Sequence, residues 1–163
     1  MFNRIFAWLF SLLVCIIPWF KNFSPALDWR AETAVVLSAI QKRDIETIES
    51  YMCKNIKDNV PNLRSEIGKL IDAIQGNIIS CSELSASGSG WSTSSGGKTI
   101  EQTDSGTLIK TANREYVLLI TWETYNNFNF EERGIRYISI RIRGEEDMLA
   151  EISATEGIWS MHS

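Results

Sequence analysis

The feature that most constrains this chain is a change of hydrophobic period at Gly76. Before it, Leu63, Ile67, Leu70, Ile71 and Ile74 fall at i, i+4, i+7, i+8 and i+11, one face of a helix, and Gly76 supplies a C-terminal stop. After it the spacing is that of strands. Arg136, Ile138, Ile140 and Ile142 alternate with Tyr137, Ser139, Arg141 and Arg143, so one face is apolar and the other wet. Helices gathered ahead of strands specify an α+β domain, three N-terminal helices packed on an antiparallel sheet.

The boundaries follow from punctuation. Ser24-Pro25 opens a helix running to about Arg43, with Ala34, Val36, Leu37 and Ile40 on its apolar stripe. Asp44 caps a second helix that ends near Cys53, and Asn59-Val60-Pro61 opens the third. Residues 77–86 form the first strand. The Ser/Gly-rich stretch 85–97 reads as a weak edge hairpin around Trp91, turning at Gly96-Gly97. Asp104-Ser105-Gly106 marks a further turn and Asn113-Arg114 another; the strand from Glu115 to Thr124 then leads into a polar loop carrying Phe128 and Phe130. A final strand spans 148–159, with Met148, Ala150, Ile152 and Ala154 inward.

The N-terminus is different material. Phe2, Phe6, Trp8, Phe10, Trp19, Phe20, Phe23 and Trp29 crowd into the first 29 residues, and residues 5–20 (IFAWLFSLLVCIIPWF) carry no charge between Arg4 and Lys21. As a helix such a run rises about 24 Å against a hydrocarbon core of about 30 Å, so its Trp and Phe flanks would sit at the interfaces. Residues 1–23 are thus expected to be a signal anchor or signal peptide, with residues 24–163 a single domain. Membrane attachment through residues 5–20 is the first reading, since no small-x-small cleavage site follows the run. Lipidation of Cys15 after cleavage is the alternative, although Val14 stands where a small residue is usual. A buried core helix is the third reading, and it would need a partner surface that a chain of 163 residues can hardly supply.

Charge and composition remove several function classes. With 16 Lys+Arg against 20 Asp+Glu there is no basic excess to meet a phosphate backbone, so nucleic acid is not an expected partner. His162 is the only histidine and sits at the extreme C-terminus, a poor place for a catalytic base or a metal ligand. Cys53 and Cys81 lack the further Cys or His that a tetrahedral zinc site needs. They remain a candidate disulfide if the domain is exported, or else two buried thiols. Neither Gly88-Ser89-Gly90 nor Gly96-Gly97 leads into a phosphate-binding helix, and no cofactor is expected.

The stretch from Ala34 to Ile48, with Asp44 in the polar step between two helices, resembles the opening of the nuclear-transport-factor-2-like superfold, a cone in which a curved antiparallel sheet of four to six strands wraps its helices. Cys53 to Cys81, Ile135 to Glu145 and Leu149 to Trp159 together resemble an uncharacterised family of bacterial exported proteins and lipoproteins, catalogued only as a domain of unknown function. The resemblance covers about residues 30–160. It implies a domain on the extracytoplasmic side of a bacterial cell membrane and brings no catalytic residues with it.

A cone offers a concave mouth, and the inward residues to examine there are Tyr116, Trp122, Arg136 and Trp159, with Glu156 as the acid opposing Arg136. Filled core and a strand-end ion pair are the plainer account of the same residues. On the outer face Glu123, Arg141, Arg143 and Glu151 alternate in sign, which suits cross-strand pairs or a sheet-to-sheet homodimer. These residues support a non-catalytic domain binding an unknown small molecule or protein, with a small enzyme using a carboxylate in the cone as the alternative.

Overall fold

The computed structural model describes residues 26–153. The helices begin where side chains can satisfy their orphaned amides. The Asp28 carboxylate accepts the backbone N–H groups of Arg30 and Ala31, and α1 runs Trp29–Lys42 until Arg43 enters the left-handed region at φ 58°. Asp44 then accepts from the Thr47 amide at 3.0 Å and its hydroxyl at 2.7 Å, starting α2, Ile45–Tyr51. The expected third helix is α4 (Leu63–Ala73), and a further short helix, α3 (Lys54–Asn59), precedes it where none was expected. Val60-Pro61 breaks the helical path, because the residue before a proline avoids the α region. Six residues of α3 are too short for a period to show.

Six strands form one open antiparallel sheet: β1 (Ile78–Glu83), β2 (Gly90–Ser95), β3 (Lys98–Thr111), β4 (Glu115–Asn126), β5 (Gly134–Ile142) and β6 (Met148–Ser153). Their order is β1-β3-β4-β5-β6, with β2 also on β3. Gly96 and Gly97, at φ 58° and 77°, make the expected tight turn between β2 and β3. The turn expected at Asp104-Ser105-Gly106 is absent: β3 passes straight through, because all three residues pair with β4 opposite Thr121, Ile120 and Leu119. Ladder pairing along β4 outweighs local turn preference. On its other side β3 meets β1, then the linker, then β2. The Leu84 amide bonds Gly106 O at 2.9 Å, the Gly88 amide bonds Asp104 O at 2.7 Å, and the Asp104 amide bonds Ser89 O at 2.7 Å.

One sheet face carries the core. Tyr116, Leu118, Ile120 and Trp122 of β4 stand opposite Ile142, Ile140, Ile138 and Ile135 of β5. Against them pack Val36 and Ile40 of α1, Ile48 of α2, Met52, and Ile67 and Leu70 of α4. Two bulges alter the sequence reading. Arg136 is the extra residue of β5 between Thr121↔Tyr137 and Trp122↔Ile135. Leu149 is the extra residue of β6, so Met148, expected inward, lies opposite Arg141, is exposed, and receives a contact from the Tyr137 hydroxyl; Ile152 is buried as expected. Beyond the end of β6, Met52 forms a parallel bridge to Ile135, and the Cys53 amide donates to Ile135 O at 3.0 Å. The α2–α3 connector thereby continues the sheet. No helix among the described residues is long and apolar enough to cross a membrane, and the run 5–20 lies outside them.

Candidate functional site

The inward residues picked from the sequence do not converge. Tyr116 is the second residue of β4 and Trp122 sits six residues on, about 20 Å away at the rise of a strand. Both are closed into the core. The Tyr116 hydroxyl accepts the Gln75 amide at 3.1 Å. Trp122 is wholly buried, its Nε1 donating to Thr33 Oγ1 at 3.1 Å, and Thr33 Oγ1 donates in turn to Ser105 Oγ at 3.2 Å. The Tyr51 ring meets the indole edge-on, with centroids 6.2 Å apart and planes at 89°. Every polar atom of this group is used within the fold. Glu156, Trp159, His162 and Cys15 lie outside the described residues.

The acid opposite Arg136 is Glu123. Alternation placed Glu123 on the outer, wet face; it is on that face but has no exposure at all. Three local facts close it in. Its partner position on β5 is Gly134, which offers no side chain; the β5 bulge carries the Arg136 guanidinium onto Glu123 Oε2; and Asn126 Nδ2 donates to Oε1 at 2.7 Å. With both oxygens bonded, the carboxylate meets the requirement for a buried charge. The same Asn126 turns outward to the loop, its Oδ1 accepting the amides of Phe128 at 3.2 Å and Asn129 at 2.8 Å. Beside it, Glu132 Oε2 accepts the Asn55 amide at 3.1 Å. This network was invisible in the sequence, since strand alternation reports which face a residue takes and not what closes over it.

The disulfide considered between Cys53 and Cys81 is not formed; both are free thiols, Cys53 buried and Cys81 exposed. Cys81 pairs with Ile109 at the Tyr116 end of the sheet, whereas Cys53 bonds Ile135 at the Trp122 end and on the far side of β5. The two occupy diagonal corners, four strand spacings of about 4.8 Å apart before the offset along the strands is added. Burial pushes the Cys53 thiol up, only partly opposed by an Ile56 backbone contact and nearby Arg136. In native protein a thiol reagent is expected to label Cys81 rapidly and Cys53 only after denaturation, as peptide mass mapping would read. Equal labelling of the two would contradict the packing described here.

Two open hollows lie at the opposite end, around the β3–β4 turn. One, of about 330 Å³, is lined by Lys69, Asp72, Gln75, Arg114, Tyr116 and Leu149. A wider one of about 430 Å³ shares Arg114 and includes Lys110, Asn113, Glu115 and Arg143. Arg143 pairs with Glu115 at 2.6 Å and holds that carboxyl below its usual range. Glu123 reaches neither hollow. Among the described residues no group of three or more His, Cys, Asp or Glu side chains is arranged to hold a metal ion.

Residues 35–150 match the model of a domain of unknown function, DUF5104, which covers most of the chain. No curated protein matches it.

Proposed function

The chain belongs to the DUF5104 family of domains of unknown function, and from that premise we propose that it is a non-catalytic binding or interaction domain, tethered by residues 5–20 to the extracytoplasmic side of a bacterial cell membrane. Its order of helices before strands and its open antiparallel sheet support a nuclear-transport-factor-2-like cone. The observation that carries the non-catalytic reading is the state of Glu123: the one fully buried carboxylate among the described residues is bonded through both oxygens and lines neither of the two hollows described. A general base must reach the proton it takes, and the two oxygens of this one are engaged by Arg136 and Asn126. Binding is better served by the β3–β4 end, where Lys69, Lys110, Arg114 and Arg143 line open hollows.

Fractionation of a bacterial host expressing the full chain, with mass spectrometry of the N-terminus, is the test. The expected result is a membrane-bound chain beginning at Met1. A lipidated Cys15 as the new N-terminus would establish the lipoprotein alternative, and a freely soluble chain beginning at Met1 would refute export. A turnover activity abolished by Glu123→Gln at a temperature where the variant remains folded would restore the small enzyme.

A further inference from the structure

We propose that the loop joining β4 to β5, residues 127–133, is a lipid-contacting surface, with Phe128 and Phe130 entering the headgroup region of the bilayer that holds the chain. The proposal rests on the tether reading above and adds to it a second, weaker contact.

Phe128 is 48% exposed and Phe130 36%, two large rings on one short loop. They are held there by built structure. Asn126 Oδ1 fixes the amides of Phe128 and Asn129, Asn127 Oδ1 accepts the Thr99 amide at 2.8 Å, and Asn127 Nδ2 donates to Gly97 O at 2.9 Å. A soluble surface gains nothing from presenting two phenylalanines on a pinned loop, whereas an interface between water and acyl chain rewards it. Cations flank the rings as at membrane interfaces: Lys98 Nζ lies 5.0 Å from the Phe128 centroid, and the Arg133 guanidinium 4.8 Å from that of Phe130.

The occupant is set by chain length. The Leu27 amide bonds Thr124 O at 2.8 Å, so the chain enters the domain at this end of the sheet. Seven Cα-to-Cα steps separate Phe20, the end of the apolar run, from Leu27, a reach of at most about 24 Å. Phe128 follows Thr124 by four residues. The Asn113 turn, by contrast, lies a full β4 strand away, about 40 Å. Whatever surface the run enters, the Phe loop is the end of the domain that meets it. Charge around the loop is mixed, with Lys54, Lys98 and Arg133 offset by Glu131 and Glu132, and Lys54 lies 3.9 Å from Glu131. The contact is therefore apolar in character and should not depend on anionic lipid.

The test uses the full chain reconstituted in phosphatidylcholine vesicles, with and without phosphatidylglycerol. Phe128→Cys, Phe130→Cys and, as the far-end control, Asn113→Cys are each made with Cys15→Ser and Cys81→Ser and labelled with an environment-sensitive dye. Dye at positions 128 and 130 is expected to emit at shorter wavelength and to be quenched several-fold more by headgroup spin labels than dye at 113, equally in both lipids. If the chain floats with the vesicles but all three dyes report water, the loop proposal fails and the tether stands. If the chain does not float, both fall.

Discussion

Replacing Arg136 with Met is expected to lower the free energy of unfolding by about 3 kcal/mol, because it leaves Glu123 buried with a negative charge and one bonded oxygen. The Arg136 side chain is itself only 16% exposed, so water cannot readily take its place. Glu123→Gln alone should also destabilise, since the amide nitrogen would face the guanidinium. The double variant, Arg136→Met with Glu123→Gln, should recover much of the loss, because no unpaired charge then remains. Urea unfolding of the single and double variants gives the comparison. Were Arg136→Met to cost less than about 0.5 kcal/mol, the range of an ordinary surface change, the pair would have to be hydrated and its role in holding the loop would lapse.

Gly134→Ala is expected to do more damage than its size suggests. A Cβ at this position would stand 2.3 Å from the Tyr51 carbonyl oxygen and 3.2 Å from the Cys53 nitrogen, both backbone atoms, and the residue sits at φ +126°. Neither the α2–α3 connector nor β5 can yield without breaking the Cys53 to Ile135 hydrogen bond and the Met52 bridge. The expected cost is about 3 kcal/mol or more, combining overpacking with backbone strain, and is read as a large drop in the thermal midpoint or loss of soluble protein. Gly97→Ala is the control. Its φ is +77° but nothing lies within 4 Å, so only the conformational penalty of about 1 kcal/mol applies. Equal effects from the two substitutions would show that strain alone acts and that the connector does not press on β5.

Much of the fold was legible in local pattern. The stripe from Leu63 to Ile71, the aspartate caps at Asp28 and Asp44 and the Gly96-Gly97 turn each state their structure within a few residues, of which Asp28 alone went unread. What pattern could not convey is set by pairing. Whether Asp104-Ser105-Gly106 turns or runs on depends on β4 lying opposite. The bulges at Arg136 and Leu149, which move one side chain onto Glu123 and turn Met148 outward, exist only between strands. The candidate site suffered for the same reason. Alternation marks Trp122 and Tyr116 as inward but not that they stand toward opposite ends of one strand, and nothing local to Arg136 shows that Glu123 on the neighbouring strand pairs with it, while Glu156 lies outside the described residues.

The way β3 is flanked bears on aggregation. Strands with a long free edge invite pairing by other chains, and β3, with 14 residues, would be the most dangerous in this sheet. Its exposed side is covered in three pieces, by β1, by the linker from Leu84 to Ser89 and by β2, so that the outermost edge belongs to two strands of six residues each. Between them the chain bends at Gly88, whose φ is +86°. An incoming strand therefore finds no straight template longer than half of β3. β2 has neither charge nor proline to repel such a strand, and its protection is brevity.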